Sequence, residues 1–114
     1  MNAKDLVRTI DEKACLALLS DWARCKSYSE TDGEKALVLH VVDQLKEMGV
    51  EARAQSFDEG RRANAIGVWK GAGGGKSLMF NGHLDTNPAT EGCTVDPWVG
   101  SSTKSSSTAS ASPI

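Results

Sequence analysis

The chain of 114 residues lacks several features that mark common classes of protein. It has no excess of positive charge, since 13 Lys and Arg are balanced by 15 Asp and Glu, so we expect neither nucleic acid nor an anionic membrane surface as a partner. It also has no long apolar run, and its charged beginning, "MNAKDLVRTIDEK", predicts neither a signal peptide nor a membrane span.

Cysteine is scarce and unpatterned. The three residues Cys15, Cys25 and Cys93 are an odd number and form no C-x-x-C pair, which indicates reduced thiols in a cytoplasmic protein. Apolar residues make up 39% of the chain and charged residues 25%, a composition typical of one small soluble domain with a modest core.

Two helices are predicted in the first half. In "DEKACLALLSDWARC", residues 11–25, apolar side chains recur at helical spacing, with Leu6 as the earliest start of the helix. A second helix is predicted to begin at Thr31, which forms the spacing of a capping box with Glu34, and to end at Gly49. Its apolar stripe consists of Leu37, Val38, Val41, Val42, Leu45 and Met48.

Three strands are predicted next. "VEARAQSF", residues 50–57, alternates apolar and polar side chains, and "ANAIGVWK" at 63–70 and the run at 76–84 read as further strands joined by the hairpin "GAGGG". This hairpin is not a phosphate-binding loop, because Lys70 occupies the position of the first glycine and no helix follows. We therefore expect an α/β fold with two helices on one face of the sheet.

The last fourteen residues, 101–114, are almost entirely Ser, Thr and Ala. A segment with so little to bury cannot offset its own ordering entropy, so we expect a disordered tail after a folded part at 1–100.

The most informative stretch is "SLMFNGHLDT", where His83 and Asp85 lie two residues apart at the end of a predicted strand. Side chains at this spacing share one face of a strand. An imidazole binds a metal best when its other nitrogen is held by a carboxylate. The pair is therefore a candidate metal ligand with its orienting partner, although His-x-Asp alone is a common sequence.

The wider string "SLMFNGHLDTNPATEGCTVDPW" resembles the first metal motif of a family of zinc metallohydrolases. The family includes acetylornithine deacetylase, succinyl-diaminopimelate desuccinylase, aminoacylase and related carboxypeptidases. Its members have a strand ending in G-H-x-D-T, a loop containing proline, and a W-x-x-D-P-[WF] segment, in which this chain has Cys93 in place of the usual aromatic residue. The resemblance covers residues 11–98.

This resemblance implies the N-terminal part of a zinc-exopeptidase-like catalytic domain. His83 would be a zinc ligand, and Asp85 the catalytic-site carboxylate that orients it. The complete family site holds two zinc ions, for which cobalt can substitute, and hydrolyses amide bonds in N-acylated amino acids or short peptides. The implied partner is such a small substrate, and the oligomeric state stays open.

The chain departs from the family after Trp98. The family's other metal ligands and its general base lie beyond that point, where this chain has only "VGSSTKSSSTASASPI". This change predicts a truncated or frameshifted reading frame whose product is inactive alone. Two alternatives remain open: a small non-catalytic α/β binding domain that keeps the pair as a relic, or a structural α/β domain that resembles the family by chance.

Overall fold

The computed structural model describes residues 1–101, so the predicted disordered tail lies outside the described residues except for Ser101. Within residues 1–101, three helices and a two-stranded antiparallel sheet form a small mixed α/β structure. The chain divides into two compact units, one of residues 25–88 and the other of residues 1–24 with the segment from Ala89 onward. Within residues 1–101, no helix combines the length and apolar character needed to cross a membrane.

The unit that contains residues 1–24 holds α1, Ala3–Val7, and α2, Glu12–Ala23. The predicted first helix is confirmed over α2, but its extension to Leu6 is wrong. The reason is a cap at Asp11, whose side chain accepts a hydrogen bond of 3.0 Å from the Ala14 N–H and starts a new helix there. No residue of α2 is fully buried, and its predicted apolar face is only partly covered, with Leu18 and Trp22 half-buried and Leu19 exposed.

The unit formed by residues 25–88 contains α3, Asp32–Glu47, followed by β1, Glu51–Phe57, and β2, Arg62–Val68. The two strands pair antiparallel, with Glu51 opposite Val68 and Phe57 opposite Arg62, around a short 3-10 turn. α3 packs against both strands. The buried apolar core consists of Leu37, Val38, Val41, Val42 and Ala63.

The predicted ends of α3 are correct, but the predicted capping box is wrong. The Thr31 hydroxyl donates to the carbonyl oxygen of Tyr28 at 2.6 Å and makes no cap bond to the helix. The Glu34 carboxylate accepts a 2.6 Å hydrogen bond from the N–H of Glu30, one residue before the expected partner. The Glu34 carboxylate takes this position because its other oxygen, Oε1, accepts hydrogen bonds from Arg62 on β2.

The C-terminal end of α3 forms the predicted glycine cap. Gly49 has a φ of 83° and donates to the carbonyl oxygen of Lys46 at 2.9 Å. The N–H of Val50 donates to the carbonyl oxygen of Leu45, also at 2.9 Å. These two bonds are the Schellman arrangement, which satisfies the last carbonyl groups of the helix and turns the chain into β1.

The predicted third strand at 76–84 and its hairpin are wrong. This stretch forms no strand, and the sheet of the described residues has the order β1–β2. Leu78, Met79 and Phe80 are 79%, 84% and 90% exposed. A consecutive apolar run of this kind is typical of a strand covered on both faces, and nothing within residues 1–101 covers it.

Gly33 in the first turn of α3 gives a test of this packing. A Cβ at this position would lie 2.6 Å from the carbonyl oxygen of Lys26. In an unobstructed helix, replacing glycine by alanine stabilises by about 1 kcal/mol, whereas this contact predicts that Gly33→Ala destabilises the chain by about 1–3 kcal/mol. Urea unfolding followed by circular dichroism measures the difference.

Gly75→Ala is the matched control, because a Cβ there meets no atom within 4 Å. We expect the stability of that variant to stay within about 0.5 kcal/mol of the parent. A stabilised Gly33→Ala variant would contradict the close approach of Lys26 to α3.

Candidate metal-ligand pair and its surroundings

The segment Leu84–Thr86 is held by backbone bonds to Ser27–Ser29. Thr86 donates to the carbonyl oxygen of Ser27 at 2.8 Å and accepts from the N–H of Ser29 at 3.0 Å, as a single parallel β-bridge centred on Tyr28 and Thr86. The hydroxyl of Ser27, a buried residue, donates to the carbonyl oxygen of Leu84 at 2.6 Å. This anchor fixes the backbone on the C-terminal side of His83.

The structure brings the two predicted site residues together. His83 Nδ1 lies 2.9 Å from the backbone oxygen of Asp85 and 3.2 Å from its Oδ1 atom. A carbonyl oxygen only accepts, and so does an ionised carboxylate, so Nδ1 must carry the proton that it shares with them. The lone pair of the neutral ring then lies on Nε2, which is the atom that would meet a metal.

Asp85 is held from a second side by Ser29. The Ser29 hydroxyl donates to Asp85 Oδ2 at 2.6 Å, while His83 faces Oδ1. The hydrogen bond from Ser29 lowers the pKa of Asp85 below its ordinary value of 3.8, partial burial opposes this shift, and the bond and charge of His83 lower the pKa further. Asp85 therefore stays ionised at neutral pH, as an orienting carboxylate must.

A second polar cluster joins α3 to β2. Arg62 donates from Nε and Nη2 to Glu34 Oε1 at 3.1 and 2.8 Å, and its guanidinium lies over the Phe57 ring, 5.1 Å from the centroid. The Glu34 side chain is only 7% exposed and that of Arg62 is 26% exposed. The Glu34 bond raises the pKa of Arg62, and the charges of Glu30 and Asp85 act in the same direction.

The Glu34–Arg62 ion pair was not predicted from the sequence. Its two residues are separated by 28 positions and come into contact because α3 packs on the sheet, so no local spacing in the sequence predicts the pair. Arg62 also belongs to the surroundings of the candidate site, since the charge of Asp85 contributes to the raised pKa of Arg62.

The pair does not extend to a complete metal site within residues 1–101. No three His, Cys, Asp or Glu side chains come together there in a way that could hold a metal ion. Beside the pair, the Thr86 hydroxyl is buried and has no hydrogen-bond partner among the described residues. The local geometry thus supplies one oriented imidazole and not a set of ligands.

Comparison of the chain with protein-family models, with curated proteins and with solved structures gives no match.

Ser29→Ala tests the cause of the lowered carboxyl pKa. We expect the pKa of Asp85 to rise toward 3.8 when the hydroxyl is removed, as measured by carboxyl ¹³C NMR during a pH titration. Because the pKa is lower in the folded state, the stabilisation by ionised Asp85 is present above 3.8 and is lost as the pH falls through the lowered value. Ser56→Ala, at an exposed serine of β1, should leave the pKa of Asp85 unchanged.

Arg62→Met tests the second cluster. Removal of the cation leaves the Glu34 carboxylate buried without its charged partner, so we expect a clearly lower urea midpoint. Arg61→Met is the matched control, since Arg61 pairs with Asp58 at the surface with 72% of its side chain exposed, and such pairs contribute little. Equal midpoints for the two variants would contradict a structural role for the Glu34–Arg62 pair.

Proposed function

We propose that this chain carries the first metal motif of a zinc-dependent amidohydrolase of the acetylornithine deacetylase type. The substrate class is N-acylated amino acids or short peptides, and the site is expected to act in the cytoplasm. The observation that carries the proposal is the contact of His83 Nδ1 with the Asp85 carboxylate at 3.2 Å, inside the string Gly-His-Leu-Asp-Thr. In this role His83 donates its Nε2 lone pair to zinc, and Asp85 fixes the ring.

Zinc, when bound in a complete site of this kind, polarises an amide carbonyl and activates a water molecule. A catalytic zinc site usually takes three protein ligands, and residues 1–101 bring no such group together. The described residues alone therefore do not make a working zinc centre. This chain would supply one ligand, His83, and its orienting carboxylate, Asp85, and we expect no hydrolysis by the chain on its own.

One observation favours a second candidate function, a small non-catalytic binding domain that keeps the pair as a relic. It is the same lack of a three-ligand cluster among the described residues. The DNA that follows the Trp98 codon discriminates between the two candidates. If another reading frame encodes Gly-x-x-Asp-x-Lys-Gly within a few dozen codons, the hydrolase is favoured, and if none does, the binding domain is favoured.

Zinc titration of the purified chain tests the assignment of His83. We expect weak binding, because one imidazole replaces the usual three or four ligands, and we expect His83→Ala to weaken it further. His40→Ala is the matched control, since His40 is the second of two histidines and lies exposed on α3. Equal zinc affinity of the two variants, measured by calorimetry and by imidazole NMR shifts, would contradict the assignment.

A longer chain with the reading frame restored gives the catalytic test. His83→Ala should abolish hydrolysis of N-acetylornithine, and Asp85→Asn should reduce metal affinity or activity by about 10- to 100-fold. Full activity of the His83→Ala enzyme would overturn the metal-ligand role, while loss of activity in His40→Ala would point to a general folding defect.

A further inference from the structure

An open groove runs along β2 on the surface of the unit formed by residues 25–88. Its volume is about 950 Å³. All seven residues of β2 line it, and so does every residue from Lys76 to Asp85, here called the apolar segment. The length of β2 corresponds to about 23 Å at the rise of an extended chain. The groove therefore has the length of a strand.

The two backbones that border the groove both lack ladder partners. β2 pairs with β1 along one edge, and no strand of the described residues pairs with its other edge. The apolar segment forms no strand, and the isolated β-bridge among the described residues lies beyond its end, at Thr86. Edges of this kind are templates for a further strand, because their N–H and C=O groups gain hydrogen bonds when one is added.

The chain itself contains a stretch suited to that place. From Ser77 to Gly82 the apolar segment has no charged residue and no proline. Its Leu78, Met79 and Phe80 side chains are 79%, 84% and 90% exposed. Apolar, uncharged segments of about six residues with high strand propensity pair readily with another chain. The same molecule thus presents both a groove for a strand and an exposed strand-like segment.

We propose that two copies of this chain associate by placing the apolar segment of each copy in the groove of the other. A two-fold axis perpendicular to the sheet makes the two segments antiparallel neighbours. The strand order is then β1, β2, the partner's segment, the segment, and the partner's β2 and β1. One operation fills both grooves and gives a continuous six-stranded sheet, which is the self-complementary arrangement of an isologous dimer.

Charge and contact area favour a second copy as the occupant. The antiparallel arrangement brings the positive Lys76 end of one segment toward the Asp85 end of the other, whereas parallel in-register stacking would align lysine with lysine. Trp69, 71% exposed, and Phe80 also line the groove. Two aromatic side chains at roughly 150–250 Å² each supply about half of the roughly 800 Å² per partner of a standard interface.

Met79→Pro tests the proposal in the complete chain by sedimentation velocity over a concentration series. Proline removes a backbone donor and is excluded from central strands, so we expect dimerisation to weaken by about 100-fold or more. The monomer should fold normally, because residue 79 lies outside the helices and strands. Val95→Pro is the matched control, since Val95 is 61% exposed and also lies outside them, and this variant should dimerise like the parent.

Single cysteines test the two-fold arrangement in a chain whose Cys15, Cys25 and Cys93 are replaced by serine. With the axis near the middle of the segment, Asn81→Cys should cross-link between copies through a short thiol reagent. Ser77→Cys should not, because its two copies lie several residues apart along the sheet. Cross-linking at both positions would indicate parallel stacking and overturn the proposal, as would a monomeric parent chain or equal dimerisation of Met79→Pro and Val95→Pro.

Discussion

The need of every β-strand for hydrogen-bonding neighbours governs the unit formed by residues 25–88. β1 and β2 satisfy each other along one edge, and α3 covers one face of the pair. A two-stranded ribbon alone is only marginally stable, so its dependence on α3 is strong. This one contact between helix and sheet is stabilised by the buried stripe of α3, by the Schellman turn after it and by the Glu34–Arg62 bond.

Local features of this architecture could be predicted from the sequence, because they depend on neighbours a few residues apart. The position of α3 between its N-cap Thr31 and the glycine cap at Gly49 belongs to this group, and so do the strands β1 and β2. The contact between His83 and Asp85 is also local, since the two residues lie on one short stretch of chain. Their assignment as metal ligand and orienting carboxylate remains a proposal, because it concerns a group outside the chain.

The predictions that failed needed information about distant residues. The apolar run around Met79 has the composition of a strand, yet a strand exists only beside a partner, and none lies next to it within residues 1–101. The capping box failed for a similar reason, since Glu34 is engaged by Arg62 on β2. Local spacing indicates the strand or capping propensity of these residues, but tertiary contacts determine what each side chain binds.

The apolar segment contains the candidate metal-ligand pair and also lines the groove along β2. The candidate pair is anchored on one side by the bonds of Thr86 to Ser27 and Ser29, whereas Leu78–Phe80 on the other side are exposed. A strand in the groove would hydrogen-bond the backbone that leads into His83 and restrict its freedom. When a ligand side chain is already restricted before a metal binds, the entropy cost of coordination is lower, as for any preorganised site. Filling the groove with the segment of a second copy should therefore also restrict the motion of His83 and Asp85.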